Sequence, residues 1–173
     1  MIKQLKTPLT DEMIQDLSVG DMVELSGEIL CGRDAVLPRV IQGMESGTLS
    51  ESEIPLKGAV IFHTAVSVAG LGPTSSNKLE IESSIEPLSR LGVKLHLGKG
   101  KLHPETIEAL DRWHSVYAII PPVTALLGAR TSDQKVLAFE ELGMEALYRI
   151  TACRYPVIIA AAHGRSIYDD KAV

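Results

Sequence analysis

Between Met22 and Leu30 apolar and polar residues alternate, with Val23, Leu25 and Ile29 falling on one side. A period of two is the mark of a strand with one buried and one wet face. Upstream, Leu9, Met13 and Leu17 recur every four residues, with Thr10 ahead of Asp11 and Glu12. That spacing predicts a short amphipathic helix with acids in its first turn, where the helix dipole favours them. After CGRD a helix is expected to start near Asp34, with Pro38 inside its first turns. Ala59-Val60-Ile61-Phe62 is unbroken and apolar, as in a strand buried on both faces. Ile81, Ile85 and Leu88 then mark one helix face, with Asn77 and Glu80 as a capping pair. Pro87 should kink or restart that helix, and Gly92 should close it.

Val93 to Leu97 predicts a strand, and Pro104 opens a helix with Ile107, Leu110 and Trp113 inward. Val116 to Ile120 is a further strand, and Thr124 to Leu127 a short helical turn. Val136, Phe139 and Leu142 predict a helix from Ser132-Asp133 to Gly143. Tyr148 to Cys153 and Val157 to Ala161 predict a last strand pair around Arg154-Tyr155-Pro156. Strands alternating with helices argue a layered α/β domain, whose ligands sit at loops leaving the carboxyl ends of strands. Three loops leave in this way: CGRD, HTAVSVAGLGPTSSNK and GKGK.

Composition narrows the chemistry. The chain of 173 residues carries a net charge of −5, without a basic stripe, so no nucleic-acid partner is expected. One Trp and two Phe offer little for stacking on single strands. The longest apolar run, Pro156 to Ala162, is too short to cross a bilayer, and MIKQLKTPLTDEM lacks the apolar core of a signal peptide. No membrane partner and a cytoplasmic location are therefore expected. Cys31 and Cys153 are too few for a self-contained zinc or iron–sulfur site, and no histidines pair at HxxxH spacing, so no metal ligands are assigned. The P-loop, GxGxxG and GxSxG motifs are absent.

What remains is a gathering of cations and small polar groups at three strand ends. Arg33 follows the first strand, Thr74, Ser75, Ser76 and Lys78 the second, and Lys99 and Lys101 the third. Arg grips a carboxylate with two parallel hydrogen bonds and Lys adds a point charge, so the set suits a small anion. Each piece also has a plain structural reading. GPTSSN is a helix cap as readily as an anion bed, Lys99 a solvated turn residue, and Arg33 a surface ion pair with Asp34. His63, at the start of the long loop, is either a structural histidine or a group supporting the site from behind. Cys31 reads as a small core thiol.

SGEILCGRDAVLPRV, GLGPTSSNKLE, GVKLHLGKGKL and ELGMEALYRI stand in an order that resembles the beta subunits of iron–sulfur (class I) fumarate hydratases and L-tartrate dehydratases. It equally resembles the carboxy-terminal domain of single-chain class I fumarases. The resemblance implies a three-layer β/β/α swivelling domain with a mixed sheet, spanning residues 1–173 as one unit. It implies an alpha subunit carrying a [4Fe-4S] cluster, in an assembly of two alpha and two beta chains, with no cofactor bound by this chain alone. The implied reaction is hydration of fumarate to L-malate. Tartrate, mesaconate or another dicarboxylate is an alternative substrate, and a non-catalytic anion-binding module an alternative role. On this resemblance Arg33, Thr74, Ser75, Lys78 and Lys99 bind the substrate, and Thr74 is the catalytic candidate, unless the acid/base group lies on the alpha subunit. Asp34 and His63 stand behind them. Leu37 and Lys78 occupy positions where the family more often has histidine and arginine.

Overall fold

The computed structural model describes residues 2–67, 70, 71, 78–120 and 129–169; the side chains of 67, 70, 71 and 78–81 lie outside the description. It is a mixed α/β structure built on one large sheet. The strands are β1 (Lys3–Lys6), β2 (Met22–Cys31), β3 (Val60–Phe62), β4 (Val66–Ser67), β5 (Gly70–Leu71), β6 (Leu95–Gly98), β7 (Val116–Ile119), β8 (Thr131–Ala138), β9 (Leu147–Ala162) and β10 (Arg165–Ser166). The helices are α1 (Asp11–Gln15), α2 (Leu37–Ser46), α3 (Lys78–Arg90) and α4 (Pro104–Arg112).

β2, β3, β6 and β7 are parallel neighbours in that order. Parallel neighbours cannot be joined by a hairpin, and α2, α3 and α4 supply the three crossovers. The long strand β9 runs antiparallel to both β7 and β2, so the pairings close a circuit from β2 through β3, β6, β7 and β9 back to β2. Period two along each strand then fills the inside of that circuit. Val23, Leu25 and Ile29 of β2, Phe62 of β3, Leu95 and Leu97 of β6, and Tyr155 and Val157 of β9 form one buried cluster. The outward positions Leu30 and Ile61 pack beneath α2 and α3 with Val40 and Leu88, and Tyr117 packs with Ile85 and Leu110 of α3 and α4. Burying a side chain of this size stabilises by about 1.5–3 kcal/mol, so both faces of the sheet contribute.

Local signals account for several element ends. Thr10 caps α1, its hydroxyl accepting from the Met13 amide. Gly92, at φ +118°, ends α3: its amide donates to the Ser89 carbonyl and that of Val93 to the Leu88 carbonyl. This is the paired bonding of a glycine-terminated helix, which only a residue free to adopt positive φ completes cheaply. Pro104 stands in the first turn of α4.

Three expectations are corrected. α3 runs through Pro87 without a restart. Leu88 is fully buried and Ile85 likewise, so packing on both sides of the proline outweighs the lost amide bond. The segment around Val136 is no helix but strand β8, followed by a 3-10 stretch at Glu140–Glu145. Its pairing with β9, from Thr131 opposite Ala152 to Ala138 opposite Leu147, supplies a neighbour that the spacing of Val136, Phe139 and Leu142 could not reveal. Finally, Arg154-Tyr155-Pro156 is no turn; β9 passes through it as one strand of 16 residues. Arg154, at φ +53°, sits at an irregularity where the β2–β9 register shifts between Leu25 and Gly27. Its amide donates to Ser26 Oγ at 2.9 Å. A bulge of this kind also accommodates the proline two residues on. The helical turn expected at 124–127 and the Asn77 cap fall outside the described residues.

Candidate functional site

The parallel order aligns the strand ends. Cys31 of β2 lies opposite Phe62 of β3, Phe62 opposite Leu97 of β6, and Leu97 opposite Ala118 of β7. The chain therefore leaves β2, β3 and β6 at one edge, with Arg33, His63 and Lys99 one or two residues beyond it. Two strand spacings, about 10 Å, separate the β2 and β6 exits. Of the residues singled out in the sequence, Arg33, Asp34, His63 and Lys99 share this edge. Thr74 and Ser75 lie outside the described residues. Lys78 is the first residue of α3, and its side chain lies outside the description.

Arg33 is fixed at both ends. Its carbonyl accepts from the Val36 and Leu37 amides at 3.1 and 2.9 Å, in the turn leading into α2. Its guanidinium meets Glu145: Nε donates to both carboxylate oxygens at 2.8 Å, and Nη2 lies 2.8 Å from Oε2. This pairing follows from the register of β9. Cys31 faces Tyr148 in antiparallel order, so residues just after Cys31 meet residues just before Tyr148. Hydrogen bonding to Glu145 raises the Arg33 pKa, with the charge of Asp34 adding in the same direction. The partner of Arg33 is thus Glu145, which sequence reading did not single out; it lies 112 residues away, inside a motif quoted only for the resemblance.

Lys99 stands exposed on the Gly98–Gly100 turn. Gly100 adopts φ +81°, and its carbonyl accepts from the Tyr117 hydroxyl at 3.2 Å. A Cβ on Gly98 would meet that hydroxyl at 3.1 Å, so the first glycine lets the turn lie against the tyrosine. The backbone of this turn is tied down while its lysine is left to solvent.

His63 is 97% enclosed, on the helix-covered side of β3, and forms a chain with His96 and Ser89. His63 Nε2 and His96 Nδ1 are 3.0 Å apart, and His96 Nε2 and Ser89 Oγ 2.9 Å. Among the described residues His63 Nδ1 has no hydrogen-bond partner. Burial lowers His63 to about 4, and burial followed by the adjacent His63 ring holds His96 well below the ordinary histidine range. Both rings are therefore neutral at pH 7. Sequence reading weighed His63 and passed over His96, whose separation of 33 residues hides the pairing.

The two cysteines do not share a site. Cys31 ends β2 opposite Tyr148, and Cys153 lies five residues further along β9, roughly 17 Å away at strand rise. Burial pushes the Cys31 thiol well above its ordinary pKa. These residues do not fit an iron–sulfur cluster. No group of three or more His, Cys, Asp or Glu side chains that could hold a metal ion occurs among the described residues. A groove between α2 and α3 is lined by Pro38, Ile41, Glu45, Ser84 and Pro87, and Glu45 there is paired with Arg90 at 2.6 Å. Among the described residues no helix is long and apolar enough to cross a membrane.

Comparison with known proteins identifies the family. The L(+)-tartrate dehydratase subunit beta of Escherichia coli is 31% identical over 185 residues, covering 96% of this chain and 87% of that protein. The "Putative fumarate hydratase class I" of Geobacillus stearothermophilus is 26% identical over 184 residues, covering 96% of this chain but 33% of the longer relative. The family model described as Fumarase C-terminus matches residues 2–171. With nearly the whole chain matched, this protein belongs to the Fumarase C-terminus family.

Proposed function

We propose that this chain is the beta subunit of a two-chain hydro-lyase acting on a small dicarboxylate, with fumarate hydration to L-malate as the first reading. The observation that carries it is the common strand edge holding Arg33 and Lys99 about 10 Å apart at their backbone exits, in a chain of the Fumarase C-terminus family. Two cations on separate strands suit the two ends of a diacid better than one phosphate-sized anion. Dehydration of L-tartrate is a second reading, favoured by the similarly sized tartrate dehydratase beta subunit, 87% of which aligns.

In this proposal Arg33 takes a substrate carboxylate and Lys99 supplies charge on the opposite side. Lys78, Thr74 and Ser75 complete the pocket, with Thr74 at the reacting carbon. Adding or removing water across a carbon–carbon double bond beside a carboxylate builds negative charge on that carboxylate. Fixed cations that meet the charge as it grows lower the barrier. Asp34 and His63 support the edge from behind. The [4Fe-4S] cluster is assigned to an alpha partner, where it supplies Lewis acidity; this chain's part is to bind and orient. The closed sheet circuit with helices outside it supports a three-layer β/β/α swivelling domain spanning residues 1–173.

The test is to co-purify this chain with its cluster-bearing partner under anaerobic conditions and assay fumarate and L-tartrate turnover. Activity that needs both chains supports the proposal. Turnover by the partner alone at the full rate refutes it.

A further inference from the structure

Arg33 offers two separate hydrogen-bonding edges, and Glu145 occupies only one of them. A guanidinium carries five N–H groups in a rigid plane. Nε–H and one N–H of Nη2 form the side-on edge; one N–H of Nη1 and the remaining one of Nη2 form the end-on edge, and the other N–H of Nη1 points back toward Cδ. Glu145 contacts Nε and Nη2, with all three contacts at 2.8 Å. No hydrogen bond or ion pair to Nη1 is formed among the described residues. The pair is held on both sides by backbone. The Arg33 carbonyl is bound by the first turn of α2, and Glu145 is followed by the Ala146 amide donating to the Gly143 carbonyl at 3.0 Å. Leu147, next along, is fully buried.

From this geometry we infer that Glu145 is a positioning residue, which locks the side-on edge of Arg33 so that the end-on edge is presented to one carboxylate of the diacid. The inference rests on the reading of Arg33 as a carboxylate binder and extends it to a residue that reading does not include. Two opposing effects set the outcome. The Glu145 charge offsets that of Arg33 and weakens long-range attraction for an anion. Against this, a free arginine must lose its rotamer freedom on binding, and a guanidinium already held in plane loses little. Two carboxylates can share one guanidinium because the edges do not overlap, so Glu145 need not leave when substrate arrives.

The experiment compares the assembled two-chain enzyme in wild-type, Glu145→Gln, Glu145→Asp and Arg33→Ala forms, with fumarate and L-tartrate as substrates and thermal unfolding of each protein. Positioning predicts that Glu145→Gln raises KM about tenfold, with a smaller change in kcat. Glu145→Asp should recover part of the loss, and adding Glu145→Gln to Arg33→Ala should cost little more, since the two act as a unit. A lower KM in Glu145→Gln would mean that Glu145 competes with substrate and would overturn the inference, as would an unchanged KM beside a damaged Arg33→Ala. If Arg33→Ala is itself unchanged, the carboxylate-binding reading fails, which is a separate result. Should Glu145→Gln not fold, the wild-type Arg33 Nε resonance decides. Positioning predicts that the signal stays in its hydrogen-bonded position at saturating fumarate, whereas displacement of Glu145 would move it to that of a solvated arginine.

Discussion

Acidification should destabilise this fold well before its carboxylates are protonated. His63 and His96 sit in a buried pair with Ser89, and among the described residues no acid hydrogen-bonds to either ring to support a positive charge. In the unfolded chain each ring titrates near 6.5. Burial lowers folded His63 to about 4, so between these values the unfolded chain binds more protons, and falling pH favours it. The stability tied to this ring is complete above about pH 6.5 and drains as the pH drops toward 4. A gap of about 2.5 pH units corresponds to about 3 kcal/mol, of which about 2 kcal/mol is lost by pH 5. His96 shifts in the same direction and adds to the loss. Asp11, Asp21 and Glu82 are held below their ordinary values of 3.8, 3.8 and 4.5, so their contributions begin to drain near those values and chiefly below pH 5, the lowest pH of the assay. The assay is urea unfolding at pH 7.5, 6 and 5 at constant ionic strength, for wild type and His63→Gln. The wild-type unfolding free energy should fall by about 2 kcal/mol or more between the ends, and the variant's slope should be shallower by about that amount. A wild-type value that is flat within about 0.5 kcal/mol would refute the buried neutral pair.

Other consequences are more local. Gly27 adopts φ +109°, and a Cβ there would stand 2.2 Å from Thr7 Oγ1, so Gly27→Ala should cost roughly 2–4 kcal/mol in denaturant unfolding. Tyr117→Phe removes the hydroxyl that ties the Gly98–Gly100 turn, costing about 1 kcal/mol and raising KM for the diacid in the assembled enzyme. Iodoacetamide should label exposed Cys153 and spare buried Cys31 in the native chain, giving one adduct by mass spectrometry and two in urea.

The elements read well from sequence are those whose cause is local. β2 showed its buried face because alternate residues meet one core, and α3 showed its end because Gly92 is needed for the terminal bonds. Elements set by distant partners were misread. Strand β8 is largely exposed, so its own residues carry little pattern, and its identity comes from pairing with β9. Arg154-Tyr155-Pro156 has turn composition, yet Ser26 and Gly27 across the sheet hold it as a bulge. The site divides in the same way. Arg33 and Lys99 stand out through their motifs, and the parallel register brings their strand exits to one edge. Glu145 and His96 lie 112 and 33 residues from their partners, and nothing in the local sequence couples them. Arg33 was weighed as an ion pair with its neighbour Asp34, whereas the register of β9 brings it Glu145.

The central claim is that the edge shared by β2, β3 and β6 receives a dicarboxylate, and the most direct measurement is a crystal structure of the assembled two-chain enzyme soaked with fumarate or L-tartrate. The account predicts one substrate carboxylate within about 3 Å of Arg33 Nη1 and Nη2, the other end directed toward the Lys99 turn, and Glu145 still on Nε. A diacid bound elsewhere, with Arg33 engaged by Glu145 alone, would contradict it.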